Sequence, residues 1–239
     1  MKPIQIFVRH CYKSPNSDIP GRKRPEWFSK EACWENLKRT MNPEIADITV
    51  CYDAHFGPMN PDRYVGERIN VGNFGTEASS FLAMLELVKM RNFPPHTIIY
   101  FVEDDYLHRA GWCEALLQAF TLPIHYATLY DHADKYLPGY DGLASHIFAR
   151  SICHWRTTPS TTNTYACKAS TLMEDMEFHE QYSTGTTSGV TNDCAKFECL
   201  GQMIGRVLVS PLPGFSTHCD QLLSPTINWE KISNFTTYG

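Results

Sequence analysis

Residues 98–107 read Ile98-Ile99-Tyr100-Phe101-Val102-Glu103-Asp104-Asp105-Tyr106-Leu107. Five apolar or aromatic residues run directly into three carboxylates. A continuous apolar run of this length predicts a strand covered on both faces, as in the parallel sheet of an α/β protein. The acids then fall at the carboxyl end of that strand, where open α/β sheets place their ligands. Adjacent carboxylates repel one another, and burial raises their pKa values further. A hard divalent cation, Mg2+ or Mn2+, prefers oxygen ligands and relieves both problems. Capping a helix that begins near Arg109 would use one of the acids, hardly three.

Upstream, the same grammar repeats. Residues 4–8 (IQIFV) predict a first strand that ends in Arg9, His10 and Cys11. A proline-bearing loop follows, then a helix over 29–39 with Cys33, Trp34, Leu37 and Met41 on one face. Residues 48–52 (ITVCY) predict a second strand, closed by Asp53. Loop-forming residues continue through 70–75, and Thr76 caps an amphipathic helix that buries Ala78, Phe81, Leu82, Leu85 and Val88. Two strand–helix units therefore precede the acidic strand, the order of a nucleotide-binding α/β sheet. Neither GxGxxG after the first strand nor GxxxxGK[ST] anywhere is present, which argues against a dinucleotide oxidoreductase and a P-loop NTPase.

Downstream, residues 112–120 predict a helix and 124–130 a strand. Residues 131–142 form a polar turn-rich segment in which Asp131, His132 and Asp134 lie close together, as a solvated loop or a second cation site. Strands are expected over 147–156 and 165–168, around the loop TTPSTTNT. A helix over 170–179 and the Gly/Ser/Thr stretch 182–191, a candidate mobile loop, follow. Asn192 and Asp193 open a further helix with Phe197, Leu200 and Ile204 on one side. A last strand over 206–210 leads through prolines to His218, and LLSPTINWEKI forms a closing helix or lid.

At 239 residues the chain fits one α/β domain, or at most two small ones. Its 43% hydrophobic and 20% charged composition is ordinary globular usage. A net charge of -5 gives no general footprint for nucleic acid, although Arg22, Lys23, Arg24, Lys30, Lys38 and Arg39 make a local basic strip. Nine cysteines without a CxxC pair argue against structural zinc and for a reducing, cytoplasmic setting. With no signal peptide and no apolar run near the ~20 residues a bilayer requires, a soluble protein without a membrane partner is expected.

Three features now stand in order: Glu103-Asp104-Asp105 at a strand end, Asp193 opening a late helix, and His218 after the last strand. This layout resembles the GT-A-fold, nucleotide-sugar-dependent glycosyltransferases, particularly the inverting ones, some of them viral or phage enzymes. The resemblance implies a single domain over 1–239: a nucleotide-sugar-binding half (1–107), an acceptor and catalytic half (108–218), and a tail or lid (219–239). It implies that Glu103, Asp104 and Asp105 match the family's Asp-x-Asp element, with Glu in place of the first Asp, and that Asp105 and His218 hold Mn2+ or Mg2+. By the same token Asp53 contacts the nucleobase, Arg9, beside His10, contacts the donor, and Asp193 is the catalytic base, with Glu174 and Asp175 as rivals. The implied donor is a UDP- or GDP-sugar. The implied acceptor is a glycan, a small molecule or a hydroxymethylated base in DNA.

These residue types suit that chemistry. A cation stabilises the charge growing on a departing diphosphate, and a carboxylate takes the proton from an attacking hydroxyl. Two other readings use the same acids: a metal-dependent phosphohydrolase or nuclease, and a non-catalytic nucleotide-sugar-binding module.

Overall fold

The computed structural model describes residues 1–13, 23–184 and 189–234. The chain forms one α/β domain around a nine-stranded sheet. Strands β1 (Ile4–Cys11), β2 (Ala46–Asp53), β3 (Arg68–Gly72) and β4 (Ile98–Glu103) are mutually parallel, in the order β3-β2-β1-β4. Side chains of a strand alternate between its faces, and β4 uses this to build two cores. Ile98, Tyr100 and Val102 pack on one side, Ile99 and Phe101 on the other. Helix α1 (Lys30–Thr40) covers the first face through Trp34 and Leu37. Helix α2 (Glu77–Arg91) covers the second with Phe81, Met84, Leu85 and Val88. Their starts follow from local chemistry: the side chains of Ser29 and Thr76 accept from Ala32 N and Ser79 N, supplying the orphan amides of the first turn.

The run 98–107 is not one strand. After Glu103 the chain turns through Asp104 and Asp105, and β5 (Tyr106–His108) leaves the main sheet. Helix α3 (Trp112–Ala119) follows as expected. The predicted strand at 124–130 contributes only β6 (Tyr126–Ala127) to the ladder. The segment 147–156 becomes two strands, β7 (Ile147–Ala149) and β8 (His154–Thr157), paired antiparallel. Strand β9 (Tyr165–Lys168) inserts antiparallel between β4 and β6.

Two helices, α4 (Ala169–Glu174) and α5 (Met176–Thr184), replace the single helix expected at 170–179. The break lies at Asp175, whose carboxylate is held by the Arg206 guanidinium at 2.6 to 3.0 Å. Helix α6 (Asp193–Ile204) ends on Gly205 at φ 68°, a left-handed cap that suits glycine. Ile204, expected to be buried, is 43% exposed in the last turn of that helix. Strand β10 (Leu208–Leu212) starts two residues later than expected and joins β6 to β8. Strand β3 took the place of part of the expected loop 70–75. It is an edge strand with little burial, so it lacks the apolar run that marks the interior strands.

Strand β11 (Ser216–His218) pairs antiparallel with β5, setting His218 opposite Tyr106. The tail folds back as α7 (Trp229–Ser233), burying Trp229 with Leu107, Cys33 and Cys219. No helix among the described residues is long and apolar enough to cross a membrane.

Candidate functional site

The carboxyl ends of β1, β2 and β4 open onto one cavity of about 240 Å³. Arg9, Asp53, Glu103, Asp104, Asp105, Asp193 and His218 all line it, together with His10, Phe56, Thr76, Glu77, Ser80, Thr162 and Thr191. Sheet register explains the gathering: parallel pairing sets Arg9 abreast of Glu103, and Cys11 abreast of Asp53.

Each acid of the triplet faces a cation. The Arg9 guanidinium donates to Glu103 Oε1. Lys30 Nζ lies 2.7 Å from Asp104 Oδ2, which also accepts from Cys11 N at 3.0 Å. Arg24 Nη2 lies 2.7 Å from Asp105 Oδ2, and His218 Nε2 lies 3.0 Å from the same oxygen. Burial pushes Glu103 up to about 7 against the pull of Arg9. Burial also works against ionisation of Asp105, but His218 and Arg24 outweigh it and hold that carboxyl far below the usual range. The same contact acts on His218 in reverse: burial opposes its charge, and Asp105 still raises its pKa. Burial holds His10 down to about 4, so it is a neutral ring at pH 7.

Asp53 lines the site and is 3% exposed. Its carboxylate accepts from the backbone N–H groups of His55, Phe74 and Gly75 at 2.9 to 3.0 Å. It thus ties the loop before α2 to the end of β2, and it faces the cavity from there. Asp193 is not the cap of α6. The Asn192 side chain does that work, accepting from Ala195 N, and Asp193 occupies the first turn with Oδ1 on Cys194 N at 2.8 Å. Burial raises the Asp193 pKa, opposed by Lys196.

The alternatives fall elsewhere. Asp175 is buried under Arg206 and the Tyr126 hydroxyl, Glu174 points outward to Arg206, and neither lines the cavity. Asp131 pairs with Arg156 of β8 at 2.8 Å, and Asp134 with Lys135 at 3.1 Å beside the His132 ring, so these acids are engaged away from the cavity. In the basic strip, Arg24 and Lys30 turn inward to the triplet and Lys38 to Glu67, while Arg22 lies outside the described residues. Of the stretch 182–191, residues 185–188 lie outside them too. On its far side Gly189 O accepts from Ala78 N at 2.9 Å, against the start of α2. A Cβ on Gly189 would meet the Thr76 side chain at 2.9 Å, and its φ of 70° also favours glycine.

Sequence reasoning missed Glu77, Thr191, Lys30 and Arg24 as parts of the site. Glu77 adjoins the recognised cap Thr76, and Lys30 belongs to the recognised strip. Both read as surface features until the fold turns them inward.

Asp105 and His218 are the residues that would hold a divalent cation, and in this structure they pair with each other, Asp105 also with Arg24. Asp105 Oδ2 and His218 Nε2 stand 3.0 Å apart as a hydrogen-bonded pair. Among the described residues no group of three His, Cys, Asp or Glu side chains forms a ready cage. Mg2+ commonly takes one or two protein ligands and completes its shell with water and substrate phosphates.

No family model matches the sequence, and no curated protein does. Solved structures with a similar fold include a Desulfovibrio desulfuricans G20 protein assigned as a nucleotide-diphospho-sugar transferase, at TM-score 0.50 and 10% identity over 88% of this chain and 80% of that one. They also include a CMP:2-keto-3-deoxy-manno-octonic acid synthetase complexed with CTP (TM-score 0.49, 14% identity, 90% and 92% covered). A third is the 4-diphosphocytidyl-2C-methyl-D-erythritol synthase of Anaerococcus prevotii DSM 20548 (TM-score 0.47, 11% identity, 88% and 89% covered). The chain is an α/β domain whose fold is similar to that of the Desulfovibrio protein.

Proposed function

We propose that the protein is a transferase acting on a nucleotide-sugar donor, moving the sugar to an acceptor hydroxyl with inversion. The observation that carries this reading is the convergence of the seven sequence-chosen residues on one cavity at the carboxyl ends of the parallel strands. The fold likeness to a nucleotide-diphospho-sugar transferase supports it.

Charge decides how a donor enters. Asp53, Glu77, Glu103, Asp104, Asp105 and Asp193 line the cavity with Arg9 as the permanently charged cation among its lining residues. A diphosphate entering alone would meet net repulsion, and Asp105 and His218 would hold a Mg2+ or Mn2+ ion that offsets it. That ion, when bound, stabilises the charge developing on the leaving diphosphate. Arg9 faces the phosphates, and Asp53 and Phe56 bound the side where the base sits. The acceptor oxygen attacks the anomeric carbon, the bond to the diphosphate breaks with its electron pair leaving on oxygen, and Asp193 takes the hydroxyl proton. A single displacement of this kind inverts the anomeric centre. The 1–107 half supplies the donor contacts, and the 108–218 half supplies Asp193 and His218.

The acceptor we favour is a glycan or small molecule rather than hydroxymethylated DNA. Arg24, Lys30 and Lys38, three of the six cations of the basic strip, are committed to acids of this chain and are not offered to a phosphate backbone. Incubating the protein with UDP- and GDP-sugars and Mn2+ tests the reading: release of nucleoside diphosphate that rises with added acceptor supports it. Release of alcohol and phosphomonoester from simple diesters instead marks a phosphohydrolase, and binding without turnover marks a sugar-nucleotide-binding module.

A further inference from the structure

Lys196 is fully buried on α6, with its ammonium 4.9 to 5.1 Å from the rings of Phe81, Tyr165 and Phe197. A cation in such a place is costly unless its charge is used, and the aromatic faces recover part of that cost. Its ammonium donates to Asn163 Oδ1 at 2.7 Å. Because an ammonium only donates, it sets the orientation of the amide. Asn163 Nδ2 must then face the other way, where it meets Thr191 Oγ1 and, at 3.4 Å, Glu77 Oε1. Thr191 Oγ1 in turn donates to Glu77 Oε1 at 2.8 Å. Arg9 closes the chain, donating to the Glu77 carbonyl at 3.1 Å and pairing with Glu103.

We infer that Lys196 is a positioning residue of this site, its ammonium fixing the Asn163 amide so that Thr191 and Glu77 are locked together across the cavity wall. Thr191 lies two residues before Asp193, and Glu77 opens α2. The network therefore clamps the end of the chain that carries the base onto the wall that carries Arg9. An apolar residue in place of Lys196 would fill the same aromatic pocket and leave Asn163 free to flip.

The groups facing the ammonium are Asp193 on its own helix, Cys167 on β9, Glu103 on β4 and Glu77 on α2, with the neutral His179 ring on α5. Burial holds Lys196 down to about 8, so its charge is lost in mildly alkaline solution.

The kinetic arm of the test rests on the transferase reading, and the spectroscopic arm does not. In the full-length protein, the Asn163 side-chain amide resonances should move with a midpoint near pH 8, and Lys196→Met should abolish that movement. Lys196→Met and Asn163→Asp should each lower kcat by about 10- to 100-fold, as small misplacements do, with donor KM changed less than about 3-fold. Asn163→Asp keeps an acceptor for Lys196 but removes the donor to Thr191, so it also serves if Lys196→Met folds poorly. An Asn163 amide indifferent to pH across 7–10, or a folded Lys196→Met with wild-type kcat, overturns the inference. Absence of turnover in the wild type refutes the transferase reading alone, and the amide titration still decides the network.

Discussion

His218 and Asp105 come from segments 113 residues apart, yet Nε2 and Oδ2 stand 3.0 Å from each other. The short ladder of β5 and β11 makes the meeting, with Cys219 N donating to Asp105 O at 2.8 Å and the His218 ring stacked on Tyr106 at 5.0 Å. Both side chains are thus held by backbone pairing before any ligand arrives, which is the preorganisation the proposed cation site requires.

Asp105→Asn should abolish metal-dependent binding of nucleoside diphosphate while leaving the fold intact. The amide keeps the shape of the carboxylate and loses its charge. Calorimetry with Mn2+ and a nucleoside diphosphate checks this, and binding equal to wild type would remove Asp105 from the cation site.

His218→Ala should raise the Mn2+ concentration needed for half-maximal activity, because each lost ligand weakens the ion's hold. The expected shift is about 10- to 100-fold. An unchanged titration would leave His218 as no more than a partner of Asp105.

Asp193→Asn should keep donor and metal affinity nearly normal while turnover falls by about 10²–10⁴-fold, the usual loss for a general base. The helix keeps its cap in this variant, since Asn192 provides it. Asp175→Asn loosens Arg206 and lowers Tm instead, with turnover per folded molecule retained. The reverse pattern would transfer the base role to Asp175.

Stability should fall on mild acidification. Burial lowers His108 to about 3 and His179 well below its ordinary value, so both stay neutral in the folded chain. The unfolded chain takes up these protons near pH 6.5. Stability is therefore complete above that pH and declines below it, by up to about 1.4 kcal/mol per pH unit for each ring. Thermal melts from pH 7.5 to 5 should show the decline, and His179→Gln, which cannot take up the proton, should make it shallower, with His108 still contributing. A Tm constant over that range would contradict the assignment.

The parallel half of the sheet was legible because its strands are buried on both faces and carry uninterrupted apolar runs, as Ile98 to Val102 does. Helices α1 and α2 were legible from Ser29 and Thr76, whose caps act within a few residues. Strand β3 was not, because its exposed edge carries no apolar run, and the break at Asp175 was not, because it is decided by a partner distant in sequence. Arg206 sits 31 residues from the carboxylate it holds. In the site, the chemically loud residues announced themselves. Lys196 and Asn163 did not, because a lysine between Ala195 and Phe197 reads as an exposed helix position until its surroundings are known.

The insertion of β9 beside β4 also bears on how the protein is made. Ile98 pairs with Lys168, 70 residues further along the chain. During synthesis one edge of the uncharged IIYFV segment therefore stays unpaired until β9 emerges, well after β1 has claimed the other edge. Such a strand is a template for wrong pairing with a neighbouring chain. Recovery of active protein should thus depend on temperature and on chaperone supply during expression more steeply than native-state stability alone would dictate.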